Sequence, residues 1–176
     1  MNRMNKLLWS GLMIICLCFL GLGQALAAGV TFNDPAKISD MSDFDPNNPI
    51  IPTGDTIKIA IVASHSGPAA VVGQIYWISA LWAAHDINKR GGILVDGKRK
   101  MVEMIKANTE SKPAIAKKVC ERMVLQEKVH VLWGTNGSHI MKVINQVAEK
   151  YKVIAQCTAA LSDELYDARI SRATLS

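Results

Sequence analysis

The stretch Ile57–Ala63 (IKIAIVA) decides the class of fold, because it is a short apolar run rich in β-branched residues. It ends in the polar loop Ser64–Pro68 (SHSGP), which interrupts regular structure. A helical pattern, Ala70–Lys89, follows the loop and stops at the glycine pair Gly91-Gly92. The sequence therefore predicts a buried strand, a loop at its carboxyl end, and a helix that returns along the sheet.

The same alternation of strand and helix continues along the chain. Three further strands are predicted, at Lys100–Ala107, Val129–Trp133 and Val153–Gln156. A second helix is predicted to begin at Ser111-Lys112-Pro113, and a third covers about His139–Lys150. Crossovers of this length predict an α/β fold, a three-layer parallel sheet with helices on both faces.

Two local details follow from residue spacing. The apolar residues of the first helix recur along one side, which we expect to face the sheet: Val71, Ile75, Ile78 and Trp82, with His85 as a further candidate. The hydroxyl of Ser111 is expected to cap the second helix.

The N-terminal residues are typical of an export signal. Arg3 and Lys6 precede the apolar run Leu7–Leu22, and Gln24–Ala27 supplies the small-x-small pattern that signal peptidase accepts. We therefore expect residues 1–27 to be removed, which leaves an exported protein without stable membrane insertion. The alternative is a retained membrane anchor, because the apolar stretch is just long enough to span a bilayer.

Residues 28–56 differ in composition from the rest of the chain. This segment contains four of the six prolines and has neither a helical nor a strand period. We interpret it as an extended leader that lies on the surface or stays mobile. Residues 57–176 carry the globular pattern and form the third predicted segment.

Composition excludes several classes of protein. An apolar content of 49% with 20% charged residues excludes a disordered chain. The net charge of +5 falls to +3 without Arg3 and Lys6, and no basic cluster remains that would indicate a nucleic-acid partner. Signal cleavage leaves Cys120 and Cys157, which either pair in the oxidising environment outside the cytoplasm or, as we favour, lie separately as small buried side chains.

Three loops are predicted at the carboxyl ends of the strands, where open parallel sheets bind ligands. They are rich in small and hydroxyl residues, and they cover Ser64–Pro68, Gly134–His139 and Cys157–Ser162. Ser138 lies at the start of the third helix, where amides and the helix dipole attract a carboxylate or phosphate. The alternative interpretation is that Ser138 only caps its own helix. His65 is either a ligand donor or an ordinary loop residue.

The residues capable of chemistry form no recognised catalytic or metal-binding pattern. A Cys157–His139 pair would need an orienting group and an oxyanion hole, and the sequence specifies neither. The four histidines lack metal-ligand spacing, and phosphate-loop and dinucleotide-binding patterns are absent. We therefore expect no enzymatic activity, cofactor or metal.

An ordered set of short motifs carries a resemblance to a known family. Ser66–Ala70 with Gly73 follows the first strand, Ala84–Ile93 ends the first helix, and Val129–Gly134 with Ser138 precedes Ala159-Ala160. In this order and spacing, Ile57–Ser176 resembles the type I periplasmic binding proteins, in the branch that binds leucine, isoleucine and valine for ABC transporters.

The resemblance implies roles for particular residues. The Ser138 hydroxyl and a helix-start amide would receive the ligand α-carboxylate, and the Ala159 carbonyl would accept the α-ammonium group. Many members carry a threonine two residues after that alanine, where this chain has Leu161 with Ser162 beside it. The other candidate ligand-binding residues are Ser66, Asn136 and His139. Some members join two of these loops by a disulfide, at positions that correspond to Ser111 and Gly137.

The resemblance also implies a function. Family members have two lobes and are much longer, so residues 57–176 are expected to be an incomplete first lobe from a truncated, split or partial sequence. The implied function is the substrate-binding component of an ABC transporter, which delivers a branched-chain or related amino acid, or another small zwitterion or carboxylate, to a permease. A receptor sensor ectodomain and an exported hydrolase using Cys157 and His139 are the alternatives.

Overall fold

The structure, a computed structural model, describes residues 39–165. The predicted export signal, the first part of the leader and residues 166–176 lie outside the described residues. No helix between residues 39 and 165 has the length and hydropathy that a bilayer crossing requires.

Strands and helices alternate in the described part, as the sequence predicts. In chain order the elements are β1 (Ile57–Ala63), α1 (Ala70–Lys89), β2 (Ile93–Val95), β3 (Lys98–Lys100), β4 (Val102–Asn108), α2 (Pro113–Leu125), β5 (Val131–Gly134), α3 (Ser138–Tyr151), β6 (Ile154–Cys157) and a 3-10 turn (Asp163–Leu165). Four of the strands form one parallel sheet in the order β4-β1-β5-β6. The predicted α/β fold is confirmed.

The order of the strands places helices on both faces of the sheet. The chain crosses from β1 to β4 in one direction and from β4 past β1 to β5 in the other. Because such crossovers are right-handed, α1 lies on one face and α2 with α3 on the opposite face. The main core fills the second face, where Ala60 and Leu132 of the sheet pack with Met123 of α2 and Ile144 of α3.

A small hairpin lies between α1 and β4 and was not predicted. The sequence indicates a turn at Val95–Lys98, but the structure adds antiparallel pairing of β2 with β3 around it. Asp96 and Gly97 both have positive φ, 50° and 75°, as a tight two-residue hairpin turn requires. The large strand therefore begins at Val102 rather than at the predicted Lys100.

The predicted buried face of α1 is wrong. Val71, Ile75 and Trp82 are exposed, and the buried positions are Gly73, Ala80, Leu81 and Ala84. The helix is apolar on nearly every side, so apolar spacing does not reveal which side faces the sheet. The close approach of α1 to the end of β1 determines the buried side instead, because a Cβ added at Gly73 would lie 2.0 Å from the Ser64 carbonyl oxygen. Small side chains are needed where α1 crosses β1.

The described part of the leader, residues 39–56, packs against the second half of α1. The Ser39 amide donates to the Asp86 carboxylate at 2.7 Å. Asp43 accepts from Lys89 Nζ at 2.8 Å and from His85 Nε2 at 3.0 Å. The leader is thus attached to the lobe by a small network of charged groups.

The two cysteines of the described part, Cys120 and Cys157, are not joined by a disulfide. Cys120 is buried in the core, where burial raises the pKa of its thiol to about 12. Cys157 is half-buried at the end of β6. The structure therefore agrees with the interpretation of two separate small side chains rather than a disulfide.

The attachment of the leader predicts a specific dependence on pH. Hydrogen bonds from Lys89 and then His85 lower the pKa of Asp43 from 3.8 to about 2. Folding lowers the pKa of this carboxyl group, so its ionised form stabilises the folded state at every pH above the unfolded-state pKa of 3.8. This stabilisation disappears as the pH falls from 3.8 towards 2. We expect Asp43→Asn to lower the melting temperature at neutral pH and to make it less dependent on pH in this acidic range.

Thermal melts between pH 7 and pH 2 measure this difference. Asp45→Asn is the matched control, because the Asp45 carboxylate accepts a hydrogen bond from the Asn47 amide within the leader. Identical pH profiles for the wild type and Asp43→Asn would show that this ion pair does not hold the leader.

Candidate functional site

Four loops meet at the carboxyl edge of the sheet. Parallel register places Asn108 beside Ala63, and Cys157 beside Gly134. The strands therefore end side by side, and the loops that follow them share one edge: residues 64–69, 109–112, 135–137 and 158–162. The surface they form is the candidate site.

Ser138 is the first residue of α3, and its hydroxyl joins two of these loops. The residue in the cap position is Gly137, and no side-chain capping hydrogen bond is present there. The Ser138 Oγ instead accepts a hydrogen bond from the Ser162 amide at 3.2 Å. The interpretation of Ser138 as a cap for its own helix is therefore wrong. A hydroxyl that accepts in this way keeps its proton for donation to a further group.

Ala159 lies on the same edge as Ser138. Its amide donates to the Thr135 carbonyl at 3.3 Å, and the neighbouring Thr158 hydroxyl donates to the Gly134 carbonyl. Ala159 is exposed, and with its amide used, its carbonyl is the polar group that it can offer to a ligand. The structure thus brings together the two residues on which the predicted carboxylate and ammonium sites depend.

Asn108 organises the other half of the edge and was not predicted from the sequence. Its side-chain oxygen accepts from the His65 amide at 2.9 Å, and its side-chain nitrogen donates to Ser66 Oγ at 2.8 Å. Ser66 is exposed at the tip of its loop. The only signal for this role is an amide residue at the end of a strand, and it becomes informative once the pairing of β1 with β4 is known.

The prediction that Ser111 caps α2 is wrong. The cap position belongs to Lys112 and has no side-chain hydrogen bond. Ser111 has a φ of 57°, which turns its hydroxyl towards Ser64 Oγ at 2.6 Å. The chain therefore uses the serine to link the loop after β4 to the end of β1.

His139 contacts the loop before α2. Its Nε2 lies 3.4 Å from the Ser111 carbonyl oxygen, and a Cβ added at Gly137 would lie 3.1 Å from the His139 ring. Where the resemblance places a disulfide in some members, this chain has a histidine–carbonyl contact.

Cys157 and His139, the residues considered for an exported hydrolase, contact different groups. While His139 contacts Ser111, the Cys157 thiol lies 3.6 Å from the Ala160 carbonyl oxygen. Nothing in these contacts joins the thiol to the imidazole as a nucleophile and its base.

His65 packs inwards, which favours a structural role. Its Nε2 lies 3.2 Å from the Ile61 carbonyl, and its ring meets Trp77 edge-on. A carbonyl only accepts, so Nε2 carries the proton, and Nδ1 is buried without a hydrogen-bond partner. Burial lowers the pKa of His65 and so favours its neutral form.

The remaining predicted residues lie at the rim of the edge. Asn136 is exposed, Leu161 is 86% exposed, and Ser162 is half-buried through its contact with Ser138. The first turn of α3 contains no acidic residue, so no carboxylate of that turn competes with a bound anion. The edge can therefore hold a small anion mainly through amides and hydroxyls.

Two concavities of the described part lie away from Ser138 and Ala159. One of about 410 Å³ lies between α3, β6 and the 3-10 turn, and its lining includes Lys142, Glu149 and Leu165. Another of about 480 Å³ lies between β4 and α2, beside Lys106 and Arg122. Neither has Ser138 or Ala159 in its lining, so we place the candidate site by its hydrogen-bonding groups rather than by concavity.

Comparison with known proteins agrees with this architecture. A family model described as periplasmic binding protein matches residues 56–172. The chain belongs to the periplasmic binding protein family. Members of this family bind solutes, and the resemblance deduced from the sequence is confirmed.

The chain is similar to characterised and solved members over part of their length. It is 31% identical over 99 residues to an amino acid binding protein of Pseudomonas aeruginosa, which covers 56% of this chain and 25% of that protein. Among solved structures, it is 32% identical to the branched-chain amino acid transporter substrate binding protein LivJ of Streptococcus pneumoniae, solved with isoleucine. That match has a TM-score of 0.58 and covers 63% of this chain and 31% of the other.

More distant structures share the fold alone. The leucine binding protein LivK of Thermotoga maritima is 23% identical with a TM-score of 0.55, over 64% of this chain and 30% of the other. A solute binding protein of R. palustris, solved with 4-hydroxybenzoate, is 21% identical with a TM-score of 0.54, over 63% and 29%. The chain thus spans less than a third of the length of each of these periplasmic binding proteins.

The contacts of Asn108 predict a measurable effect on the first loop. We expect Asn108→Ala to lower the free energy of unfolding by about 1–3 kcal/mol, because three hydrogen bonds are lost and the amides of His65 and Glu110 lose their acceptor. Denaturant unfolding measures the stability, and hydrogen exchange measures the His65 amide. Asn136→Ala, at an exposed asparagine of the neighbouring loop, is the control. Unchanged exchange at His65 in Asn108→Ala would contradict the bridging role.

Proposed function

We propose that this chain is the substrate-binding component of an ABC transporter and that its carboxyl edge binds a branched-chain or related amino acid. The contact between the Ser162 amide and the Ser138 hydroxyl is the observation that carries the proposal. It holds the hydroxyl beside the start of α3 with its proton available for a ligand. In this proposal residues 57–176 form part of the first lobe of a periplasmic protein exported by residues 1–27, which hands its solute to a permease.

The carboxylate half of the ligand is bound by the start of α3. The first amides of a helix have no acceptor within the helix, and the dipole makes this end partly positive. A carboxylate here accepts from the helix-start amides and from the Ser138 hydroxyl. Because these groups are fixed by the pairing of β5 with β6 and by Ser162, little ordering is needed when the ligand binds.

The ammonium half is bound by main-chain oxygen. The Ala159 carbonyl lies on the loop whose backbone is tied to Thr135, just before α3. A carbonyl acceptor next to an anion site matches the two opposite charges of an α-amino acid. Leu161, in the position where many members carry a threonine, adds exposed apolar surface suited to an aliphatic side chain.

The similar proteins support the amino acid as the ligand class. The Pseudomonas aeruginosa relative is an amino acid binding protein, and the Streptococcus pneumoniae structure contains isoleucine. Both exceed 30% identity to this chain. The structure with 4-hydroxybenzoate is 21% identical, so its ligand carries less weight here.

Calorimetric titration of the protein tests the ligand class and the role of Ser138 together. We expect isoleucine to bind more tightly than 3-methyl-2-oxopentanoate, which keeps the carboxylate and the side chain of isoleucine but lacks the ammonium group. Ser138→Ala should weaken isoleucine binding by about 1–3 kcal/mol, about 5- to 150-fold, because a buried carboxylate loses a hydroxyl donor. Ser79→Ala, at an exposed serine of α1, is the matched control and should leave the affinity unchanged.

Two results would contradict the proposal. Equal affinity of Ser138→Ala and the wild type for isoleucine would remove the hydroxyl from the site. Tighter binding of the oxo acid or of 4-hydroxybenzoate than of isoleucine would exclude an ammonium site and favour a simple carboxylate.

A further inference from the structure

A concavity lies at the outer edge of the sheet, beside the edge strand β4. We call it the edge concavity. It is bounded by Lys106 of β4, Glu110 of the following loop and one side of α2, and its volume is about 480 Å³. Binding sites for small molecules commonly have volumes of about 300–1,000 Å³. The edge concavity is therefore large enough for a small molecule, and its lining indicates which kind.

The side of α2 that lines the edge concavity carries two parallel rows of side chains. Ile115, Lys118, Val119 and Arg122 follow one another at intervals of three, one and three residues, so they share one side of the helix. Ile115 and Val119 are half-buried, and Val119 packs against the core, so this apolar row lies nearer the sheet. Lys118 and Arg122 are exposed and form a cationic row beside it.

Lys106 approaches the edge concavity from the other face of the sheet. Its Nζ lies 4.7 Å from the centre of the Trp77 ring, and Trp77 belongs to α1, which lies on the face opposite to α2. The electrons of the aromatic ring attract the ammonium group and hold it near the edge. Positive groups therefore reach the edge concavity from both faces of the sheet, with the apolar row of α2 between them.

The positive charges of the lining are not neutralised by the described part of the chain. No ion pair among residues 39–165 includes Lys106, Lys118 or Arg122. The carboxylate of the lining, Glu110, is paired with Lys112 Nζ at 3.1 Å. Three cations and one carboxylate leave the lining with two net positive charges. A ligand with two negative charges would balance them.

The outer edge of β4 also offers a backbone donor. The Val102 amide donates to the side-chain oxygen of Asn88 at 2.7 Å, and the Val102 carbonyl accepts from the side-chain nitrogen of Asn88 at 2.8 Å. The backbone groups of Val102 thus point away from β1, and every second residue of a strand points to the same side. Lys106 follows four residues later, so its amide points to the open edge, where β4 has no neighbouring strand among residues 39–165. A carboxylate bound at this edge can accept a hydrogen bond from the amide.

The other parts of this sequence do not supply the negative charge that the lining requires. Residues 1–38 contain three basic residues and one acidic residue, and residues 166–176 contain two basic residues and one acidic residue. Both segments therefore carry a net positive charge, which the lining would repel. Charge complementarity favours an anion from outside the sequence.

The arrangement of the lining favours a small molecule with two separate acid groups. The cations converge on one recess from two elements, whereas Lys117, which is exposed on another side of α2, does not line it. Two cationic regions with an apolar row between them match two carboxylates joined by a short hydrocarbon chain. A single phosphate would concentrate its charge at one point and leave the apolar row uncovered.

We propose that the edge concavity binds a short dicarboxylate. One carboxylate contacts the cationic row of α2, the other contacts the ammonium group and the backbone amide of Lys106, and the hydrocarbon chain covers the apolar row. Because the cations are exposed and screened by salt, binding is weak, with a Kd of about 1 mM at low ionic strength. Neither Ser138 nor Ala159 lines the edge concavity, so this site is separate from the amino acid site proposed above.

A titration of the isotopically labelled protein, followed by its amide resonances at low ionic strength, tests this site. The probes are succinate, glutarate and adipate, each compared with the monocarboxylate that has the same number of carbons: butyrate, pentanoate and hexanoate. We expect at least one dicarboxylate to bind about fivefold more tightly than its monocarboxylate, because it gains a second charged contact. The largest shifts are expected at Lys106 and Val119, and added salt should weaken the binding.

Substitutions on α2 test the cationic row directly. Lys118→Gln and Arg122→Gln should each weaken dicarboxylate binding about three- to fivefold, because each removes one exposed charged contact. Lys117→Gln is the matched control, since it removes the same charge from the same helix outside the lining, and it should leave the affinity unchanged. Ser138→Ala should bind the dicarboxylates as the wild type does. Circular dichroism melts check that all variants remain folded.

Other results would overturn the proposal. Equal affinities for each dicarboxylate and its monocarboxylate, or no saturable binding of either, would exclude a site for two acid groups. Equal weakening in Lys117→Gln and Lys118→Gln would show general attraction to a positive surface, and weakening in Ser138→Ala would assign the dicarboxylates to the start of α3. Tighter binding of inorganic phosphate than of any dicarboxylate would indicate a site for a single compact anion. Binding of polyglutamate alone would favour an acidic protein partner.

Discussion

The in-register parallel pairing of β5 with β6 is the constraint on which the rest of the site depends. It places Gly134 beside Cys157, so the loop before α3 and the loop after β6 begin at the same level. The contacts from Ala159 to Thr135 and from Ser162 to Ser138 then join the two loops. A slip of the register would separate a helix-start anion site from the carbonyl beside it.

The candidate site relies on main-chain groups more than on charged side chains. Amides at the start of α3, a hydroxyl held by Ser162, and the Ala159 carbonyl offer both signs of partial charge within one edge. Such groups are fixed by the fold and need little reorganisation, which suits the reversible capture of a small solute. Small residues in these loops are necessary, because larger side chains would keep a ligand away from the backbone.

The sequence predicted what depends on topology and missed what depends on close packing. Strand and helix alternation was sufficient to place Ser138 and Ala159 on one edge, because parallel strands carry their loops to the same side. The same pattern predicted the wrong buried face of α1, because this helix is apolar on nearly every side. Only the close approach of Gly73 to Ser64 shows which side faces the sheet. The bridging role of Asn108 was not predicted, because its hydrogen bond with the His65 amide joins residues 43 positions apart in the sequence. Ser111 was misassigned because its positive φ depends on the loop it joins.

The most direct measurement of the central claim is a titration of the isotopically labelled protein with isoleucine, followed by the backbone amide resonances. We expect the largest shifts at Ser138, His139 and Ser162, and no change in the resonances of the β2–β3 hairpin. Shifts confined to the concavity beside β6 and the 3-10 turn, or to the leader, would show that the solute does not bind at the carboxyl edge of the sheet.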